Sequence, residues 1–223
     1  VQVEYPQDWL STKLEDSGQK QAGWRTDPGR SGQGGCIGDI GTHAFNLASF
    51  VTGLEVDQLC ADIQTFVDGR ALDDNAHVML RYKGGARGML WSSQVAPGNE
   101  NALRLRVYGG SGGIEWSQED PNYLWHTPLG EPKRLLTRGG SGANEAANAV
   151  TRIPGGHPEG YLEGFATLYT DAAHAILAKR SGAEPSTVSL FPTVQDGLSG
   201  VAFVSAVVES SGRGGVWTSL DVP

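Results

Sequence analysis

The chain has only two cysteines, Cys36 and Cys60, in 223 residues. That is too few for a secreted disulfide framework and offers no zinc-ligand spacing, so both read as small buried hydrophobes. No apolar run approaches the ~20 residues of a membrane span, and no charged segment followed by an apolar stretch opens the chain as a secretion signal would. The expectation is a soluble, cytoplasmic protein with no membrane partner. Positive charge is also scarce, with 17 Lys+Arg against 25 Asp+Glu, and no basic cluster exceeds two or three residues. A nucleic-acid backbone would be repelled over most of such a surface. Also lacking is any Gly-x-Gly-x-x-Gly that follows a strand and opens a helix, so no phosphate-cradling loop for a dinucleotide is present.

The most informative stretch that is present runs Gly34-Gly35-Cys36-Ile37-Gly38-Asp39-Ile40-Gly41-Thr42-His43. A glycine-rich turn leads into a helix whose apolar residues continue at Phe45, Leu47, Ala48, Phe50 and Val51 until Gly53. Four-residue spacing puts Asp39 and His43 on one helix face. On spacing alone two readings stand: Asp39 caps the helix and His43 is a partly buried imidazole, or the pair moves a proton. Imidazole titrates near neutral pH, and a neighbouring carboxylate raises its pKa and fixes its tautomer.

Read with Trp24-Arg25-Thr26-Asp27-Pro28, this segment resembles the substrate-domain signature of the glucose-fructose oxidoreductase/inositol dehydrogenase/MocA family. The resemblance implies an α+β C-terminal domain that follows an N-terminal Rossmann domain in a longer protein. It implies NAD or NADP as cofactor, held mainly by the absent domain, and a sugar, polyol or related hydroxyl compound as substrate. It also implies that His43 acts as acid/base at the reacting hydroxyl while Asp39 contacts the same group or orients the histidine. Arg25 and Asp27 would line the cleft, with Trp24 toward the cofactor. The family's Glu-Lys-Pro motif, which carries its catalytic lysine, does not occur here. Val1-Gln2-Val3-Glu4-Tyr5 already alternates as mid-strand, which predicts an excised or truncated piece that is inactive by itself.

The length predicts one domain over 1–223. A polar loop from about Ser11 to Gly35 is too long for a simple connection and reads as functional. Strand-like segments follow at 55–67, 75–83, 86–96, 102–108, 114–118, 123–127 and 133–138, separated by short turns that imply a large, mainly antiparallel open-faced sheet. In Leu103-Arg104-Leu105-Arg106-Val107-Tyr108 the leucines and valine take one face. Helices are expected at about Gly160–Lys179 and Thr193–Ser210, both packed on one sheet face, with Pro192 in the first turn of the second. A closing strand is expected over Val216–Val222, and Gly139–Gly160 reads as mobile surface or a lid.

Further candidates lie outside this segment. Gly156-His157-Pro158-Glu159-Gly160 places an imidazole at a helix start and resembles a family substrate segment, although Pro158 and Glu159 can simply begin the helix. Trp9 and Gln7 end the first strand, and Trp suits stacking on sugar rings. His77, His126 and His174 read as surface residues. A metal site from Asp39, His43 and His157 would have only three ligands. Gly109-Gly110-Ser111-Gly112-Gly113, followed by Asp171 and His174, satisfies the hydrolase nucleophile-elbow pattern, but the residues after it read as a strand, so it is a hairpin turn. A non-enzymatic alternative is a stand-alone sugar-binding or self-associating module. The expected assembly is a homodimer or homotetramer through the free sheet face, with no metal.

Overall fold

The computed structural model describes residues 1–184 and 190–222. Nine strands form one sheet: β1 (Gln2–Pro6), β2 (Val56–Gln64), β3 (Asn75–Tyr82), β4 (Arg87–Ser93), β5 (Arg104–Gly109), β6 (Gly112–Ser117), β7 (Tyr123–Pro128), β8 (Arg134–Thr137) and β9 (Thr218–Ser219). Their spatial order is β8-β7-β6-β5-β1-β4-β3-β2-β9. Each of the seven expected strand segments overlaps one observed strand, β2 to β8. The closing strand is much shorter than expected, because only Thr218 and Ser219 pair with β2. The nucleophile-elbow pattern is the β5–β6 hairpin, with Gly109 opposite Gly112.

One pairing is parallel: β1 runs alongside β4, with Val3 opposite Leu90 and Tyr5 opposite Ser92, while β5 flanks β1 antiparallel. The first strand is therefore inserted between two strands about ninety residues later in sequence. Both members of the parallel pair end on the same side of the sheet, and the chain leaving β1 stays joined to the chain leaving β4. Gln7 N–H donates to Ser93 O at 2.8 Å and Leu10 N–H to Gln94 O at 3.0 Å.

Alternation decides the faces. Leu105 is buried and Tyr108 exposed on β5, with Leu103 buried just before it, and on β3 Val78 and Leu80 are buried while Met79 is exposed. The buried side meets α3 (Thr42–Thr52) and α6 (Val194–Gly212), whose Phe45 and Phe203 rings stack at 4.4 Å between centroids. Burying each such ring contributes about 1.5–3 kcal/mol. The last turn of α6 also completes β2: Ala61 N–H donates to Ser210 Oγ and Ile63 N–H to Ser211 Oγ, beyond the reach of short β9.

Three expectations need correction. Helix α5 (Tyr161–Ser181) does not lie on the sheet: it buries no residue, and Leu162, Tyr169 and Ile176 stand exposed. Local periodicity gives an apolar helix but not the surface that covers it. Pro192 precedes the cap of α6 rather than starting the helix, since Thr193 is the N-cap and Asp196 closes a capping box. Gly139–Gly160 is pinned rather than loose. It contains α4 (Glu145–Ala149), and Arg138 bonds the carbonyls of Ile153, Pro154 and His157 and pairs with buried Glu159. Among the described residues no helix is long and apolar enough to cross a membrane.

Candidate functional site

The expected long loop after β1 is partly structured. A 3-10 turn at Leu14–Ser17 is followed by α1 (Lys20–Arg25) and α2 (Pro28–Ser31). Arg70, buried with Asp74, anchors the loop through Leu10 O, Thr12 O and the Glu15 carboxylate. This fixes Trp9 and delivers Arg25 to the end of the parallel strand pair.

Past Gly34 the chain makes a π-helical turn, Ile37–Gly41, that runs directly into α3. Asp73 sets its start. The buried carboxylate accepts from Gly35 N–H at 2.6 Å and Ile37 N–H at 2.9 Å, and the Cys36 thiol donates to it at 3.1 Å. The approach is so close that a Cβ on Gly35 would lie 2.1 Å from Asp73 O. Burial, then the charge of Asp73, pushes the Cys36 thiol well above its ordinary pKa, so it is an inert packing group as expected. The capping role that spacing allowed Asp39 thus belongs to Asp73, which is remote in sequence.

Asp39 is consequently free for other partners. Its two carboxylate oxygens each accept from Arg25 Nε at 3.0 Å, and Oδ2 also accepts from Gln94 Nε2 at 2.8 Å. Gln94 is 2% exposed and holds the carboxylate from beneath, at the carboxyl end of β4. His43 lies one turn on, exposed, with its ring edge-on to Tyr5 at 6.3 Å. No hydrogen bond joins it to Asp39, and neither ring nitrogen has a partner among the described residues. The expectation that Asp39 orients the imidazole is not met by direct contact.

These side chains share an open cavity of about 510 Å³. It is lined by Arg25, Asp39, His43 and Trp9 together with Tyr5, Gln7 and Asn101. A second cavity of about 520 Å³ adjoins it between α3 and α6, bordered by His43, Gly38, Gly200 and Val204. His43 therefore stands on the rim between a polar and an apolar cavity. Trp24 is outside both: it stacks on Arg25, whose guanidinium carbon is 4.4 Å from its ring centroid, while Trp9 lies 6.0 Å from the same group.

Two other candidates are not brought to the pocket. Asp27 caps α2 by accepting from Gly29 N–H. His157 is exposed beside β8, with Nδ1 against Pro154 O, so the three ligands of the metal alternative do not converge. Among the described residues no group of three or more His, Cys, Asp or Glu side chains could hold a metal ion. Sequence reasoning missed Asp73, Gln94 and Asn101. None lies in a recognisable motif, and only Asp73-Asp74, two acids before an apolar strand, offered any signal.

Residues 1–115 match the family model described as the GFO/IDH/MocA C-terminal domain. An uncharacterised oxidoreductase, YfiI, of Bacillus subtilis is 33% identical over 99% of this chain and 57% of its own length. The crystal structure of an oxidoreductase from Sinorhizobium meliloti is 55% identical, with a TM-score of 0.84 over 97% of this chain and 55% of that one. An inositol dehydrogenase homolog from Azotobacter vinelandii, solved with NADH and myo-inositol, is 32% identical with a TM-score of 0.86, covering 98% of this chain and 56% of that one. The chain thus spans little more than half the length of these relatives.

Proposed function

The chain belongs to the GFO/IDH/MocA family of oxidoreductases, and on that premise we propose that residues 1–223 form the substrate-binding and catalytic domain of a longer enzyme. That enzyme transfers a hydride between NAD or NADP and a sugar, polyol or related hydroxyl compound. The observation that carries this reading is the convergence of Trp9, Arg25, Asp39 and His43 on one cavity. Its walls suit a polyhydroxylated ligand, because an indole face, amide groups and a carboxylate match the apolar faces and hydroxyls of a sugar ring.

The dinucleotide is assigned mainly to the part of the protein beyond these residues. The N–H groups of Gly35 and Ile37, which could otherwise cradle a phosphate, are already taken by Asp73. When bound, the nicotinamide supplies the hydride acceptor. His43 takes the proton from the reacting hydroxyl as its carbon–hydrogen bond breaks, leaving a carbonyl, and returns it in the reverse direction. Asp39, held by Arg25 and Gln94, accepts a hydrogen bond from the substrate and fixes its position. Trp24 and Arg25 form the rim on the cofactor side. We assign the enzyme to the cytoplasm, a reading supported by its two unbridged cysteines.

The test is dehydrogenation by the full-length protein of a panel of inositols, hexoses and levoglucosan. His43→Ala should lower kcat by roughly 10²–10⁴-fold, while Asp39→Asn costs less or moves the pH profile. Wild-type turnover in both variants would make the pair structural. Tight polyol binding without turnover in the wild type would favour the binding-module alternative.

A further inference from the structure

Four side chains of the cavity form one continuous hydrogen-bonded chain. Trp9 Nε1 donates to Gln7 Oε1 at 3.0 Å, Gln7 Nε2 donates to Asn101 Oδ1 at 2.8 Å, and the Tyr5 hydroxyl donates to the same Oδ1 at 2.6 Å. Its polarity has a single source. Indole N–H can only donate, so the Gln7 amide must present its oxygen to Trp9 and its nitrogen to Asn101. Asn101 must then present its oxygen to Gln7, and the Tyr5 hydroxyl, meeting an oxygen, must donate.

The Asn101 nitrogen is left with both hydrogens unused; it has no partner among the described residues. The rest of Asn101 is held in place. Its N–H donates to Glu119 Oε1 at 3.0 Å, and its carbonyl accepts from Leu103 N–H at 2.9 Å and from Gln118 Nε2. The side chain borders the same cavity as Asp39 and His43.

We propose that Asn101 is a specificity-determining residue of this cavity: its amide is turned by Trp9 and Gln7 to offer two N–H donors to the oxygens of a polyhydroxylated substrate. The arrangement complements Asp39. The carboxylate can only accept from a substrate hydroxyl and the Asn101 amide can only donate to one, so together they define the direction of the hydrogen bonds a ligand must make. Vicinal hydroxyls, each able to donate and accept, satisfy both ends. A ligand deoxygenated at the position that faces Asn101 forgoes those two donors, which are solvent-exposed in the free protein. This inference rests on the hydroxyl-substrate reading above.

Asn101→Asp is the discriminating variant, because one carboxylate oxygen still accepts from Tyr5 and Gln7 while the other replaces the pocket-facing donors with an acceptor. The full-length protein is titrated by calorimetry with inositols and hexoses, including their deoxy analogues, alongside the dehydrogenation assay. The expected result is at least a tenfold loss of affinity in Asn101→Asp, with KM rising by more than kcat falls. In the wild type, one deoxy analogue should bind at least tenfold more weakly than its parent. Parent-like affinity in Asn101→Asp, or wild-type losses below twofold for every deoxy analogue, would overturn the assignment. If the variant does not fold, the wild-type deoxy series decides. Polyol binding that is lost in Asn101→Asp without any turnover supports the role of Asn101 while removing the oxidoreductase reading. No polyol binding to the wild type overturns both.

Discussion

Asp73→Ala should separate the segment that carries Asp39 and His43 from the scaffold that holds it. The carboxylate is 7% exposed and satisfies two backbone N–H groups, those of Gly35 and Ile37, together with the Cys36 thiol. Removing it strands two buried donors at about 1–3 kcal/mol each, while the thiol adds little. The expected loss is therefore about 2–6 kcal/mol of unfolding free energy, read from urea titration as a lower midpoint at unchanged slope. At roughly 2–4 °C per kcal/mol for a chain of this size, the melting temperature should fall by roughly 10 °C. Because Ile37 and Asp39 share the same π turn, loosening its start also displaces Asp39 and His43. A shift near 1 Å can cost about 10²-fold in kcat. Asp73→Asn, which retains one acceptor, should fall between wild type and alanine on both measures. A loss below about 1 kcal/mol with unchanged kcat in Asp73→Ala would mean that packing around Gly35, and not the carboxylate, sets the turn.

Two further outcomes are expected. The outer sheet face carries exposed Met79, Met89, Tyr108 and Trp125, whereas Leu90, next to Met89 on β4, is buried toward the helices. Face-to-face pairing through it should give a homodimer or homotetramer in light scattering, and Met89→Asp should dissociate it; a strict monomer at high micromolar concentration, with Met89→Asp unchanged, would remove the claim. At the start of α6, the Thr193 N–H and then its hydroxyl hold the Asp196 carboxyl below its ordinary pKa. A depressed folded-state value adds stability above the unfolded value of about 4 and loses it as pH falls through the folded one. The stability difference between wild type and Asp196→Ala should accordingly shrink as the pH drops below about 4, and a difference independent of pH would contradict the assignment.

Strand positions were legible because alternation and turn residues are local: Leu103 to Tyr108 declares its two faces from six consecutive residues. The Asp39/His43 spacing was legible for the same reason. The placement of α5 was not. Its apolar residues repeat at helical spacing whether or not a sheet covers them, and in this structure none is buried. The site divides similarly. Trp9, Arg25, Asp39 and His43 were nameable in sequence, but Asp27 and His157, named with them, are held elsewhere by their own local hydrogen bonds.

By itself the sequence determined which residues could do chemistry and which strands and helices would bear them, since residue type and periodicity are properties of neighbours along the chain. Tertiary structure alone decided what those residues meet. Parallel pairing of β1 with β4 brings Gln7 and Trp9 beside Gln94, and only then do Asp73 and Gln94 reach the turn around Asp39. The polarity of Asn101 depends on an indole N–H ninety-two residues earlier, passed through Gln7. Such contacts carry no local signature, because a hydrogen bond between distant segments exists only once the sheet has set their register.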